Sequence, residues 1–306
     1  MTYTRREFGA AGAMAMGWLA LPEPLRAQTA STAGGVKIGV QTYSFRALPR
    51  PTGGDQAEAI IQAMTTCQLD DCELWSPMLE PARLGSDASA AAQDRARDAL
   101  RRWRVDTPLA HFEGIRDRFT SAGLTIYGFN YSFNDSFSDA EIDRGFEVAR
   151  ALGADIITAS ATLSAMTRVV PFAERHQMVV AVHNHSNTSD PNEFATPESF
   201  AAATALSPYV RVNLDIGHFT AANYDAVAYL REHHASITNL HLKDRRRDQG
   251  PNVPFGMGDT PIREVLELLG REGWPIRAHL EYEYRGAGSP VEEVARCYDY
   301  VKRLLG

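Results

Sequence analysis

A chain of 306 residues with 44% hydrophobic and 23% charged residues is of ordinary globular composition, which excludes a disordered chain and a membrane bundle. Its net charge of -7 lacks the basic footprint that neutralising nucleic-acid phosphates requires, so a nucleic-acid partner is disfavoured. Cys67, Cys72 and Cys297 show no metal-type spacing, and a core of this size does not depend on disulfides; a Cys67 to Cys72 pair stays open.

In chain order, the first element is a targeting signal. Arg5 and Arg6 precede an apolar run from Phe8 to Leu21 and a polar stretch from Pro22 to Thr32, the layout of a twin-arginine signal peptide over residues 1–30. The run is interrupted by Gly9, Gly12 and Gly17 and falls short of the ~20 residues a membrane span needs, so no stable membrane anchor is expected. The expected location is therefore the periplasm, or elsewhere outside the cytoplasm, by the twin-arginine route.

Strand-like runs follow at Val36 to Ser44, Asp71 to Trp75, Leu124 to Asn130, Asp155 to Ser160, Met178 to His185, Val210 to Asp215, Ile237 to Lys243 and Ile276 to Glu283. Helical spacing lies between them at Ala57 to Met64, Asp139 to Leu152, Pro197 to Ala205, Ala226 to His233 and Ile262 to Leu269. Eight alternations of strand and helix predict an α/β fold, a single-domain (β/α)8 TIM barrel over residues 36–306. Ser138 and Asp139 read as a helix start, and Asp259-Thr260-Pro261 as a cap followed by proline. Gly123, Gly153 and Gly270 read as helix ends. The stretch from Pro77 to Phe119 reads as a long loop with one or two arginine-rich helices, their charge a solvated face. No Gly-x-Gly-x-x-Gly follows the first strand, which disfavours a dinucleotide fold.

Such barrels carry chemistry at the C-terminal ends of their strands. The first four runs offer Gln41, Thr42 and Tyr43, then Glu73 and Trp75, then Asn130, then Ser160. The last four offer His183, Asn184 and His185; Asp215 and His218; His241, Lys243 and Asp244; and Glu281 with Glu283. Burying so many titratable groups is costly unless a cation or hydrogen bonds compensate them. One divalent metal held by His183, Asp215, His241 and Glu281 resolves the cost, and mixed nitrogen and oxygen ligands suit Mn, Zn, Co, Fe or Ni better than Mg. Taken singly, each histidine reads as readily as a hydrogen-bonded structural group. Glu73 reads equally as a loop anchor, Lys243 as the partner of Glu281 or Glu283, and the run Arg245 to Arg247 as a solvated loop or a substrate contact.

The strings GVQTYSF in the first strand, ELW in the second, NLDIGH in the sixth, HLKDR in the seventh and EYEY in the eighth resemble the xylose isomerase-like barrel superfamily of sugar phosphate isomerases and epimerases. The resemblance implies one divalent metal held by residues of strands five to eight, with Asp215, His241 and Glu281 as ligands and His218 on the substrate. It departs at the fifth strand, where His183 stands in place of a metal-binding glutamate, which puts a two-glutamate epimerisation in doubt.

The expected function is thus a metal-dependent isomerase or epimerase that removes a proton next to the carbonyl of a sugar or keto-sugar, through a metal-stabilised enediolate. Glu281 is the first choice as base, with His185, Lys243 and Glu73 as partner acids or bases; Gln41, Tyr43, Asn130 and His218 are the expected substrate contacts. The alternatives are a lyase or dehydratase on a keto-sugar or 3-keto-glycoside, a non-catalytic exported sugar-binding protein, and an endonuclease of the same superfamily, which acidity and export oppose. The expected partner is a small-molecule carbohydrate, with a homo-oligomer left open.

Overall fold

The computed structural model describes residues 31–306 apart from positions 53, 83 and 86. The twin-arginine segment of residues 1–30 lies outside the described residues.

Eight strands pair in parallel and in order: Val36–Gln41 (β1), Asp71–Trp75 (β2), Thr125–Asn130 (β3), Ile156–Ala159 (β4), Val179–His183 (β5), Val210–Asp215 (β6), Ile237–Leu242 (β7) and Arg277–Leu280 (β8). Pairing of β8 with β1 closes the barrel, and the two-residue strand Thr32–Ala33 adds antiparallel to the start of β1. The expected (β/α)8 barrel is the observed fold. The strands are buried on both faces, as parallel strands covered by helices must be.

Side chains alternate between the faces of each strand. One set, with Ile38, Val40, Cys72, Leu74, Leu214, Leu240 and Leu280, packs against the helices. The other points inward and is unusually polar: Asp71, Glu73, Thr158, Asn213, Asn239 and His279 are all sealed inside the barrel. Gly39 makes room for this layer, because a Cβ there would lie 2.5 Å from the His279 ring and 2.7 Å from the Asp71 carbonyl.

Two expected boundaries need correction. Gly270 does not end its helix, which runs over Ile262–Glu272 and closes at Gly273 with φ +65°. A Cβ on Gly270 would sit 2.5 Å from the Gly34 carbonyl, so its small size serves helix-to-turn packing. Thr260 does not cap that helix either: its hydroxyl accepts from the Arg245 amide at 3.0 Å, and Asp259 accepts from the Arg247 amide at 3.0 Å. Both fold the loop after β7 back on itself. Ser138, by contrast, forms a full capping box with Glu141 on Asp139–Ala151. Helices Leu163–His176, which carries Pro171 internally, and Pro290–Leu305 complete the outer ring.

The stretch after β2 holds two helices, Ala90–Asp106 and Leu109–Ser121. The second buries Phe112, Ile115 and Phe119, whereas the first has no buried residue and lies across the mouth of the barrel near the ends of β2 to β4. All three cysteines are free and buried, so the open Cys67 to Cys72 pair is not formed; burial pushes the Cys67 and Cys297 thiols up to about 12.

Candidate functional site

The ends of β5 to β8 converge. His183, Asp215, His241 and Glu281 are all buried, and one ligand atom from each lies within 4.8 Å of every other. Register explains half of this, since Asp215 and His241 are directly paired across β6 and β7.

The layer beneath fixes the histidine. His241 Nε2 and His279 Nδ1 each lie 2.7 Å from the same oxygen of Glu73, and Asn239 donates to that oxygen at 2.7 Å. The other Glu73 oxygen accepts from Thr158 at 2.6 Å and Asn213 at 3.1 Å. With its Nε2–H committed to Glu73, His241 turns Nδ1 toward the cluster, where a bound cation would take the place of the Nδ1 proton. Burial alone would raise the Glu73 pKa, but His241 and His279 hold it well below the usual carboxylate range. Burial likewise opposes charge on His241, yet Glu73 and Glu281 hold it well above an ordinary histidine.

Asp215 sits at the junction of β6 with the short helix Ile216–Ala221. One oxygen caps that turn by accepting from the His218 amide at 2.7 Å, and the other faces His183 Nε2 at 3.4 Å and Lys243 Nζ at 3.1 Å. Asn184 locks the strand end, accepting from the Asp215 amide at 2.9 Å and donating to its carbonyl at 3.1 Å. Lys243 is buried among carboxylates, 2.9 Å from Glu281 and 2.6 Å from Glu283 as well as near Asp215. Burial would lower its pKa, but those three carboxylates raise it, so the ammonium is a fixed cation. Burial followed by the charge of His241 lowers the pKa of His183.

Five buried side-chain atoms among the described residues have no hydrogen-bond partner, and three are at this site: Asn213 Oδ1, His241 Nδ1 and Glu281 Oε2, the last still ion-paired with Lys243 at 2.9 Å. His241 Nδ1 and Glu281 Oε2 lie only 3.1 Å apart, but not aligned as a hydrogen bond. Two imidazoles and two carboxylates, all buried and converging from four strand ends, fit a divalent metal, with His183, Asp215, His241 and Glu281 as the residues that can hold it.

The remaining expected site residues fall into separate groups. His185 stands at the rim with its Nδ1 2.6 Å from Glu193 Oε1, and its ring lies edge-on to both His183 and His218. His218 receives Arg245 Nη1 at 2.6 Å on its Nδ1 and lies 2.9 Å from Lys243 at its Nε2. Tyr43 is half-buried beside the cluster, edge-on to Trp75 at 4.8 Å between ring centroids. Gln41 and Asn130 are brought to the same end of the barrel but turned into it: Gln41 donates to Glu73 at 3.4 Å, and Asn130 donates to Thr158 at 3.1 Å. Glu73 lies one layer below the cluster rather than at its surface.

Three further residues belong to the site. His279 and Asn213 complete the buried layer under His241. Arg245 also donates to Ser186 at 2.8 Å and to the Gly250 carbonyl at 2.7 Å, so the first arginine of the run is a partly buried site residue and not a solvated one. Asp244 holds its loop by accepting from the Gly256, Gly258 and Thr260 amides.

A family model described as xylose isomerase-like TIM barrel matches residues 82–302. Among curated proteins, the L-ribulose-5-phosphate 3-epimerase UlaE of Salmonella paratyphi A is 30% identical over 99 residues, 32% of this chain and 35% of the relative. The matched stretch thus spans about a third of that relative's length. Among solved structures, the IOLI protein with a bound zinc atom superposes with a TM-score of 0.62 at 13% identity, over 88% of this chain and 97% of that one. The probable 3-DHS dehydratase AsbF from Bacillus anthracis superposes with a TM-score of 0.59 at 14% identity, over 86% and 97% of the two chains. At such identities the structural likeness is one of fold.

Proposed function

The chain belongs to the xylose isomerase-like TIM barrel family, and on that premise we propose that it is a metal-dependent isomerase or epimerase of a keto-sugar, working by proton abstraction next to a carbonyl. The observation that carries this reading is the buried cluster of two imidazoles and two carboxylates, whose ligand atoms all lie within 4.8 Å of one another. A divalent ion bound there supplies Lewis acidity to oxygens of the substrate. The zinc of the IOLI structure and the epimerase activity named for UlaE are in keeping with it.

The chain's own groups divide the remaining work. Glu281 takes the proton at its carboxylate. Burial would raise its pKa, but Lys243 and His241 hold it well below the ordinary range, so it is ionised before substrate binds. Lys243 Nζ, 2.9 Å away, stays beside that oxygen as its charge changes. His185 is the second acid or base: Glu193 takes the Nδ1 proton at 2.6 Å, which leaves Nε2 for exchange with the substrate. His218 donates from Nε2 to a substrate oxygen, and Tyr43 closes the rim.

One observation favours a second outcome. By the family resemblance His183 stands where two-glutamate epimerases carry a carboxylate, and the cluster here holds one glutamate, one aspartate and two imidazoles. A base on one face and an imidazole proton donor also suit elimination, and a lyase or dehydratase acting on a keto-sugar is the second reading.

The substrate is a small carbohydrate, and the Arg5-Arg6 motif supports export by the twin-arginine route. The deciding experiment supplies Mn, Zn, Co, Fe or Ni singly and incubates keto-sugars and keto-glycosides in deuterated water. Metal-dependent deuterium at the carbon beside the carbonyl is the expected result. If no metal and no substrate of either class gives exchange or elimination, the proposal fails.

A further inference from the structure

The metal-type cluster occupies only the half of the barrel mouth above β5 to β8. Above β2 to β4 runs a groove of about 1010 Å³, floored by Trp75, Ser132 and Ser160 and roofed by helix Ala90–Asp106, whose Ala96, Leu100 and Trp103 line it. That helix lies over the mouth with no fully buried residue and meets the core through Trp103 at its C-terminal end, which leaves its earlier turns free to roof the groove. Pockets that enclose a drug-sized ligand span about 300–1,000 Å³, so this groove is larger than one sugar ring needs.

Groove and cluster are joined. Ser160 Oγ lies 3.2 Å from His183 Nδ1, and the Ser160 amide donates to Ser132 Oγ at 3.2 Å. Trp75 meets Tyr43 edge-on, and Tyr43 feels the charges of Glu281, Glu283 and Lys243.

We infer that this groove is a subsite for a second sugar ring, so that the substrate is a two-ring glycoside with its reacting ring at the cluster and its distal ring between Trp75 and helix Ala90–Asp106. The inference rests on the keto-sugar reading above and specifies its substrate class. The chemistry of the walls selects the occupant. Indole faces suit the apolar C–H face of a pyranose, while the Ser132 and Ser160 hydroxyls and the Asn134 amide offer hydrogen bonds to its equatorial rim. Of the guanidiniums along the groove, Arg104 is committed to Glu80 and Glu141, whereas the exposed pairs of Arg97 with Asp94 and Arg101 with Asp98 are weak, so a phosphate is the rival occupant that the test must separate.

Calorimetric affinities test this without requiring turnover, using the full chain with glucose, glucose 6-phosphate and a set of α- and β-linked glucose disaccharides. At least one disaccharide should bind about tenfold more tightly than glucose, the equivalent of ~1.4 kcal/mol. Ala96→Trp, which fills the groove from a helix with no buried residue, should remove that gain and leave glucose affinity unchanged; Trp75→Ala should reduce it several-fold. Equal or undetectable affinity for glucose and every disaccharide overturns the inference. So does a disaccharide gain that survives Ala96→Trp, or a gain shown only by glucose 6-phosphate. Disaccharide binding in the groove without any deuterium exchange would instead refute the enolising reaction and leave the subsite standing.

Discussion

His241 Nδ1 and Glu281 Oε2 face each other at 3.1 Å inside the barrel mouth, sealed from water and out of hydrogen-bond alignment, with Lys243 Nζ 2.9 Å from the same carboxylate oxygen. A buried polar atom left unpaired costs about 1–3 kcal/mol, and a charged one more. Lys243 offsets part of that cost at Glu281, and a cation bound in place of the His241 Nδ1 proton would satisfy both atoms at once. Ligand binding to the folded state alone then adds stability, about 2.7 kcal/mol at a concentration 100 times Kd. Thermal unfolding of metal-stripped protein should therefore shift upward on addition of one of Mn, Zn, Co, Fe or Ni, and His241→Ala should abolish the shift. An equal shift in that variant would place the ion elsewhere.

Glu281 combines two expected roles, and a single variant separates them. Glu281→Gln keeps an oxygen of nearly the same size but removes the basicity. Deuterium exchange should fall by at least the ~10²–10⁴-fold typical of losing a general base, while metal analysis finds much of the ion retained. Undiminished exchange would remove Glu281 from proton transfer.

Glu73 acts from one layer below. It receives His241, His279, Asn213, Asn239 and Thr158, so its removal leaves donors unpaired on several strands. Loss of such an outer partner costs about 10–100-fold in metal affinity, and breaking a buried ion pair costs about 3–5 kcal/mol of stability. Glu73→Ala should show both losses in metal titration and in urea unfolding, whereas a residue acting only on substrate would change neither.

This layer marks where the sequence stops being legible. The barrel and the four converging residues could be read because strands buried on both faces stand out from helices, and because β5 to β8 each finish on an imidazole or carboxylate. The polar residues two places earlier, Asn213 before Asp215, Asn239 before His241 and His279 before Glu281, carry the same spacing and were a usable signal for the inner layer. What could not be read is how deep a given polar residue sits: Glu73 looks like a strand-end residue, yet the shift in register between β2 and β3 at Cys72 and Glu73 accompanies its place under the cluster. Gly270 misled for a similar reason, since a glycine that permits close packing and a glycine that ends a helix are the same letter.

Export is expected from the arginine pair and the apolar run Phe8 to Leu21 that follows it. Arg5→Lys with Arg6→Lys keeps the charge but removes the guanidinium pair that defines the twin-arginine signal. The doubly substituted full-length chain should remain in the cytoplasmic fraction while the parent is recovered outside it. Equal export of both would withdraw the assignment.

Arg245 determines which nitrogen of His218 carries the proton. A guanidinium has donors and no acceptor and does not deprotonate in proteins, so at 2.6 Å the His218 Nδ1 must be the accepting nitrogen. Burial first, and then the Lys243 charge, lower the pKa of His218 well below an ordinary histidine, so the ring is neutral and its one proton sits on Nε2. That proton faces the ammonium of Lys243 at 2.9 Å, a donor against a donor, which favours Lys243 turning to its carboxylates and leaves Nε2–H for a substrate oxygen. Nitrogen NMR should find His218 as the Nε2–H tautomer across neutral pH. Arg245→Ala should mix the tautomers and weaken kcat/KM by about tenfold, near the ~1.4 kcal/mol of one oriented hydrogen bond. An unchanged tautomer in that variant would show that Arg245 only braces the loop.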